Sequence, residues 1–358
     1  MSDSAAAPLL LQVCANDHPP FADICRYFEA AARALSWQPL TVMLESRAAV
    51  PTPGFHYLPA LGAAAPLLAG RRPVLTLCHR YRAYRAVVTS GLTVGRPVAI
   101  AHEFGMLARR RRRLQRRWDA LLGRPGVTFA GVSQPLVDEL GRAAGQALLL
   151  PNGLDLARFD AELLSREEAR RTMGLEAAAF TIGVVGRLHG KKQPQLAVAG
   201  FRAALARMPG AALVFVGSGE LADELRRQAA DLPVSFTGFL AGAVRLMKAF
   251  DLLLLPSGDR EAFGMVALEA MAAGVPVLCG PAPGPRFVVA GAGRCFAASS
   301  AAGVGDALAQ AYAERHGALG ALAREARQRV EDTFSVPAAA ARLRALAAGV
   351  AADASGRG

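Results

Sequence analysis

Glu261 and Glu269 stand out because of their setting in residues 251–278, DLLLLPSGDREAFGMVALEAMAAGVPVL. An apolar run at 252–255 ends at Pro256-Ser257. A polar loop then carries Glu261, and Phe263-Gly264 opens a helix that bears Glu269 and stops at Ala273-Gly274. A carboxylate accepts two O–H bonds well, so Glu269 suits a pair of vicinal hydroxyls and Glu261 a second polyol. The plainer alternative makes Glu261 a helix cap and Glu269 a solvated helix residue. The amides of Gly264 and Met265, at a helix start, lack intrahelical acceptors and suit an anion. A second group, Gly186-Arg187-Leu188-His189-Gly190-Lys191-Lys192, directly follows the apolar run 180–185. Gly186 allows close backbone approach to a ligand, and the cations Arg187 and Lys192 suit a diphosphate. The alternative here is a basic surface loop, and the spacing is not that of a Walker A motif. His102 lies just past a further apolar run, where an imidazole either lines a site or makes a structural hydrogen bond. His79 is placed similarly, with weaker support. No histidine, cysteine or carboxylate set has metal-ligand spacing, so no metal site is expected. Neither G-x-S-x-G nor a G-x-G-x-x-G after the first strand is present, which argues against a hydrolase elbow and a dehydrogenase.

The elements that must position these residues follow from periodicity. Strands are predicted at 9–15, 40–44, 73–78, 97–101, 127–132 and 148–150, and helices at 21–35, with Asp23 in its first turn, and at 134–143, capped by Ser133. Residues 51–66 read as loop, 106–122 as a basic helix and 155–178 as a mixed polar and helical connector. A second series has strands at 180–185, 211–216, 234–237, 252–255 and 275–278. Its helices fall at 195–208, 220–230, 241–249 and 305–330. A last helix at 333–348 is broken near Pro337, and the tail 351–358 reads as disordered. Strands alternating with helices indicate α/β architecture with parallel sheets, and 358 residues suit two domains.

Composition narrows the classes. No apolar run is long enough to span a bilayer, and the N-terminus lacks the basic start of a secretory signal. Five scattered cysteines read as reduced thiols of a cytosolic protein. The formal net charge is +12. It is concentrated in Arg109, Arg110, Arg111, Arg112, Arg113, Arg116 and Arg117, with Trp118 beside them. Cations this dense call for an acidic surface, lipid headgroup or nucleic acid. Little aromatic interleaving disfavours nucleic acid.

Together these motifs resemble the retaining GT-B glycosyltransferases of family 4. Glu261 to Glu269 followed by Ala270-Met271-Ala272-Ala273-Gly274-Val275-Pro276-Val277 is similar to the E-x7-E signature. Gly186-Arg187-Leu188 with Lys192 resembles the phosphate-binding G-R-L-x-x-x-K. Pro151-Asn152-Gly153-Leu154-Asp155 with Phe159 resembles the interdomain P-N-G motif. Gly217-Ser218-Gly219 and Phe236-Thr237-Gly238-Phe239 match the next two strand ends. The likeness runs in order over roughly residues 130–335. The family's glycine-rich first loop is replaced by Ala15-Asn16-Asp17-His18-Pro19-Pro20.

The resemblance implies two Rossmann-like domains facing a central cleft. Residues 1–153 would bind acceptor, with 336–350 crossing back to pack on them, and 154–335 would bind the nucleotide-sugar. Arg187 and Lys192 would hold the donor diphosphate beside Gly186, and Glu269 the ribose hydroxyls. Glu261 would contact the donor sugar. Phe263, Gly264 and Met265 would offer backbone donors, and backbone around Phe239 would meet the base. His102 would lie near the transferred sugar, and Asp23 on the acceptor side. The activity implied is metal-independent, retaining transfer from a nucleotide-sugar, a UDP-sugar favoured, to a bacterial surface glycan such as lipopolysaccharide core. The enzyme would be a monomer or weak dimer without cofactor, docked by its arginines on the anionic inner face of the cytoplasmic membrane. The alternatives are a GT-B-fold sugar-nucleotide epimerase and a nucleic-acid-binding protein using the arginine run.

Overall fold

The computed structural model describes residues 7–48, 50–94, 97–108, 112, 114–115, 126–177, 179–296 and 298–355. The chain divides into two compact units, Met1–Asp155 with Phe334–Gly358, and Leu156–Thr333. The first holds a seven-stranded sheet ordered β3-β2-β1-β4-β5-β6-β7. Its strands are β1 (Leu9–Cys14), β2 (Gln38–Met43), β3 (His56–Tyr57), β4 (Leu75–His79), β5 (Val98–Ala101), β6 (Thr128–Gly131) and β7 (Leu148–Leu149), every neighbouring pair parallel. β1, β4 and β5 are buried along their whole length. A parallel strand covered on both faces is expected to be a continuous apolar run, so the one polar residue inside β1, Gln12, needs an internal partner.

The second unit holds a six-stranded parallel sheet ordered β10-β9-β8-β11-β12-β13. These strands are β8 (Phe180–Val185), β9 (Ala211–Val216), β10 (Val234–Gly238), β11 (Leu252–Leu255), β12 (Val277–Cys279) and β13 (Arg294–Cys295). Its core joins Ile182, Leu213, Leu252 and Leu254 to Phe201 and Val304 of the helices Pro194–Ala204 and Ala301–Ala313.

Several elements differ from the sequence-based expectation. Residues 51–66 contain β3, a one-turn 3-10 segment, Leu61–Ala64, and the start of a short helix, Ala65–Leu68, rather than loop alone. Residues 80–89 form a helix that the pattern did not suggest, because Arg80, Arg82 and Arg85 interrupt its apolar face. The 155–178 connector has the helical content expected of it, in the form of two helices of the second unit, Leu156–Glu162 and Arg166–Thr172, the latter opened by a Ser165/Glu168 capping box. Residues 243–249 are 3-10 rather than α-helical. Ser133 occupies the N-cap position but makes no side-chain capping bond. The expected 305–330 helix is two, Ala301–Ala313 and Ala318–Phe334. The last helix, Val336–Ser355, continues through residues 351–355, where disorder was expected, and Pro337 sits in its first turn, where a missing N–H costs nothing. Most of the predicted basic helix lies outside the described residues, and 104–108 are turn.

That last helix lies against Phe21–Ala34 within the first unit. The chain is pinned where it returns. Tyr27 donates its hydroxyl to the Ser335 carbonyl at 3.2 Å, and Leu154 N–H donates to the Phe334 carbonyl at 2.9 Å. Gly153 is required by the crowding: a Cβ there would lie 2.1 Å from the Phe334 oxygen and 2.3 Å from Cζ of Tyr27. Among the described residues no helix is long and apolar enough to cross a membrane.

Gly153→Ala is expected to destabilise the protein by about 1–3 kcal/mol through overpacking. Gly141→Ala, within the helix Gln134–Ala144, meets nothing within 4 Å and should stabilise by about 0.5–1 kcal/mol. Urea unfolding of the two variants checks the contrast.

Candidate functional site

A sheet whose strand order reverses leaves a crevice at the carboxyl ends of the two strands where it does so. In the second unit those strands are β8 and β11, and the two sequence-predicted clusters follow them directly. Gly186 leaves β8 at φ +137°, and a Cβ there would meet nothing, so the room beside it is real. Gly217, after β9, has φ +142°, and a Cβ there would sit 2.0 Å from the Gly186 oxygen, so the position needs glycine on both counts. Arg187 is exposed.

Two bonds join the β8 and β11 loops. Gly258 N–H donates to the Lys191 carbonyl at 3.1 Å, and Lys192 Nζ bonds Oε1 of Glu261. Their side chains are 29% and 15% exposed, so this pair is neither a solvated surface bridge nor fully buried. Glu261 is therefore not a helix cap. The helix Met265–Ala272 has Gly264 at its N-cap, at φ +97°, with no side-chain capping bond. The Glu261 backbone is fixed from behind: Gly284 N–H donates to its carbonyl at 3.0 Å, and a Cβ on Gly284 would fall 2.2 Å from the Phe263 nitrogen. Glu269 lies on the second turn of that helix and is half-buried.

Among the described residues four buried side-chain oxygens have no hydrogen-bond partner: Oδ1 of Asn152, and Oε2 of Glu261, Oγ of Ser257 and Oε1 of Gln193. The last three belong to these two loops. Buried polar atoms are rarely left unpaired, and a cluster of them marks a place where a polar ligand supplies the missing bonds. Ser257 and Gln193 were not singled out from the sequence, which gives no sign that their side chains turn inward. Phe239, beyond β10, is 75% exposed and carries an unusually large apolar surface into solvent. His189 caps its own loop by accepting from Lys191 N–H at 3.2 Å. Burial, then the cations Lys192, Arg187 and Lys191, press its pKa down.

The first unit reverses its strand order between β1 and β4. His79 ends β4 and is fully buried, and His102 follows β5. Nδ1 of His79 lies 3.1 Å from Nε2 of His102, and Nε2 of His79 lies 3.2 Å from Oε1 of Gln12. Gln12 donates to the Cys25 carbonyl at 3.0 Å and to Thr41 Oγ1 at 3.2 Å, and Thr41 donates to Glu29 at 2.7 Å. Nδ1 of His102 is shielded and has no partner among the described residues. Phe21 meets the His102 ring edge-on at 5.1 Å, and the Arg80 guanidinium stacks 4.3 Å above Phe21. Arg80 holds φ +75°, strained for a side-chain-bearing residue, and such strain concentrates at functional sites. Burial pushes His79 down to about 3. Burial, then His79 and Arg80, hold His102 well below the usual imidazole range.

The loop that replaces the expected glycine-rich turn is committed to the fold. Asp17 is buried and accepts from the Arg47 and Ala48 amides, the Tyr57 hydroxyl and Ser46. Asp23 is exposed and ion-paired to Arg26 at 3.9 Å; it sits in the first turn of its helix as expected but makes no contact with the histidine pair among the described residues. Of the arginine run, Arg112 alone is described. It donates to the Met106 carbonyl at 2.8 Å and stacks 4.6 Å over Tyr81. Arg109, Arg110, Arg111, Arg113, Arg116, Arg117 and Trp118 lie outside the described residues.

Residues 179–314 match the family model described as Glycosyl transferases group 1. Solved structures align along nearly the whole chain. A glycosyltransferase from Rickettsia africae covers 96% of this chain and 99% of its own, with a TM-score of 0.77 and 13% identity. HepE from Anabaena, in complex with UDP, covers 96% and 100% at a TM-score of 0.72 and 20% identity. The fold is GT-B. WaaG, a glycosyltransferase involved in lipopolysaccharide biosynthesis, shares this fold at a TM-score of 0.67 and 20% identity, covering 93% and 99%. Sequence relatives match more locally. The sulfoquinovosyl transferase SQD2 of Arabidopsis thaliana is 30% identical over 161 residues, 44% of this chain and 30% of its own. The D-inositol 3-phosphate glycosyltransferase of Actinosynnema mirum is 37% identical over 148 residues, 37% of this chain and 35% of its own. The chain thus spans about a third of the length of these two curated relatives.

Lys192→Met is expected to destabilise the second unit by about 1–3 kcal/mol, because the half-buried Glu261 carboxylate loses its donor. Adding Glu261→Gln should recover most of the loss in a double-mutant cycle by urea unfolding. The histidine pair predicts a pH dependence. Because both folded pKa values lie below the unfolded value of about 6.5, the unfolded chain takes up protons first, and stability falls as pH drops below that value. His79→Asn should flatten the loss measured between about pH 6.5 and pH 4.5; an unchanged slope would count against neutral buried histidines.

Proposed function

We propose that this chain is a retaining glycosyltransferase that moves a sugar from a nucleotide-sugar, a UDP-sugar favoured, to a glycan or glycolipid acceptor. The observation that carries the reading is the β8/β11 crevice, where a cationic loop, a carboxylate bonded to its lysine and three unpartnered buried oxygens converge. Arg187 and Lys192 would take the donor diphosphate, with the amides of Phe263, Gly264 and Met265 beside it. Lys192 is bonded to Glu261. An arriving diphosphate would draw the lysine away, releasing Glu261 to bind sugar hydroxyls. Glu269 would bind the ribose, and backbone around Phe239 the base.

Cleaving the anomeric C–O bond builds positive charge on the sugar and negative charge on the departing phosphate. Arg187, Lys192 and the helix-start amides supply the compensating charge in place, which lets the transfer run without a metal. With no carboxylate assigned as a covalent nucleophile, the departing phosphate takes the acceptor's proton on the same face, and the anomeric configuration is kept. The domain of residues 1–153, with 336–350, would bind the acceptor, with Asp23 at its edge.

The acceptor we favour is lipopolysaccharide core at the inner face of the cytoplasmic membrane, with the enzyme a monomer or weak dimer. The fold shared with WaaG and the Arg109–Arg117 charge with Trp118 support it, since each cation near an anionic surface is worth about 1 kcal/mol.

Glu269→Ala is expected to lower donor kcat/KM about 10- to 100-fold, the loss of charge-assisted bonds to hydroxyls, with the fold retained by circular dichroism. Unchanged turnover would refute its role. Sedimentation with vesicles should show binding to anionic and not to neutral lipid, weakened by salt; equal binding to both, or to neither, would contradict membrane docking.

A further inference from the structure

Two of the five cysteines stand side by side at one edge of the second sheet. Cys279 ends β12, Cys295 ends β13, and the two are partners in the parallel register. Their sulfurs are 3.4 Å apart. Neighbouring strands run about 4.8 Å apart, within the roughly 4.4–6.8 Å that a disulfide spans between Cα atoms. The two thiols are chemically unequal. Cys279 is fully buried, whereas Cys295 is exposed on a two-residue edge strand. The thiol bond from Cys279 lowers the pKa of Cys295, burial opposes this, and Arg286 of the helix Pro283–Val289 lowers it further. The same bond, with burial, raises Cys279. An accessible thiolate beside a cation is the reactive form of cysteine, and a neighbouring thiol can resolve its oxidised product. Cys14, Cys25 and Cys78, in the first unit, are all buried and lack that access.

The pair adjoins the loop that carries Glu261. Cys279 is the register partner of Leu255, the last residue of β11, and Gly280 N–H donates to the Leu255 carbonyl at 2.9 Å. Phe296, next to Cys295, donates its N–H to the Cys279 carbonyl at 3.1 Å. Its buried ring lies over Gly280, where a Cβ would be 3.0 Å from Phe296 Cζ and 3.2 Å from the Ser257 carbonyl oxygen. Phe296 thus leans on the root of the Glu261 loop with no room for a side chain between.

We propose that Cys279 and Cys295 form an oxidation site, a dithiol that a peroxide converts to a disulfide, and that the disulfide weakens ligand binding in the β8/β11 crevice. The effect on the crevice rests on the glycosyltransferase reading; the oxidation itself does not. The Cys295 thiolate attacks one peroxide oxygen, the O–O bond breaks, and the departing hydroxide takes up a proton as water. The Cys279 sulfur then attacks the sulfenic acid. The S–S bond forms, the S–O bond breaks, and the Cys279 proton leaves with the hydroxyl as a second water. Each sulfur gives one electron, and one peroxide becomes two waters. To bond, the sulfurs must close from 3.4 Å to about 2.0 Å. β12 is held by strands on both sides and β13 on one only, so Cys295 moves and presses Phe296 against Gly280 and Ser257.

The test uses the full chain, reduced, exposed to hydrogen peroxide and then treated with N-ethylmaleimide to block the remaining thiols. Trypsin cuts after Arg286 and Arg294, so Cys279 and Cys295 fall on separate peptides. Mass spectrometry should find those peptides joined with the loss of two hydrogens, while Cys14, Cys25 and Cys78 carry the maleimide. Calorimetric titration with UDP and GDP should show the nucleotide that binds the reduced chain binding the oxidised chain about tenfold more weakly, with dithiothreitol restoring it. Cys295→Ser should bind that nucleotide as the reduced parent does, and peroxide should leave its affinity unchanged. Cys279→Ala should stop the oxidation at a Cys295 sulfenic acid that dimedone traps. Maleimide on both Cys279 and Cys295 after peroxide, or Cys295 joined to a second chain, would overturn the oxidation site. A Cys279–Cys295 disulfide that leaves nucleotide affinity unchanged would overturn the coupling. A reduced chain that binds neither nucleotide would fail the glycosyltransferase reading and the coupling with it, while the peptide map judges the oxidation site in either case.

Discussion

In each of the two sheets the winding direction reverses once, between β8 and β11 in the second unit and between β1 and β4 in the first. At such a point the loops above neighbouring strands run apart, and side chains at the strand ends face a crevice instead of a packed connection. The polar groups that are hardest to explain by packing stand there. In the second unit they are Lys192, Glu261, Ser257 and Gln193, and in the first His79 and His102. Two buried polar groups elsewhere close on themselves. Arg170, 3% exposed, is satisfied by the carbonyls of Ala249, Glu176 and Ala179 and by Asp251, and Asp17 by the 46–57 segment. Among the described residues, four of the six unpartnered buried polar atoms stand at the reversals, the other two being on Asn152 and Arg294, and such clustering favours a ligand site over structural polarity.

Much of this was legible in the residues. The apolar strands announced parallel sheets because strands covered on both faces carry few polar residues, and Gly186, Arg187, Lys192, Glu261 and Glu269 were picked out because each sits where a strand ends or a helix begins. Their relation was not legible. Lys192 and Glu261 are 69 residues apart in sequence, and only the pairing of β8 with β11 makes them partners. The cap reading of Glu261 was a fair local inference that a tertiary contact overrode. In the first unit, His102 was found by position, but the hydrogen-bonded chain behind it was not, because its members come from β1, β2, β4 and a helix. One signal was available: Gln12 interrupts LLLQVC, a strand with no solvent-facing side, and a lone amide there demands a buried partner.

The same logic explains the misplaced elements. The helix 80–89 has Tyr84, Val87 and Val88 buried while Arg82 is exposed, so its stripe is narrow and its arginines mask the period. The terminal helix runs past the expected stop, and its many alanines, the strongest helix formers, favour that.

The central claim is that the β8/β11 crevice binds a nucleotide-sugar. Differential scanning fluorimetry against UDP-, GDP-, ADP- and CMP-sugars, with free sugars as controls, tests it most directly, since a ligand bound only by the folded state raises Tm by mass action. The account predicts that one nucleotide class raises Tm in a concentration-dependent way, and that Arg187→Ala abolishes the rise. A chain whose Tm none of these nucleotide-sugars moves, or whose shift survives Arg187→Ala undiminished, would contradict it.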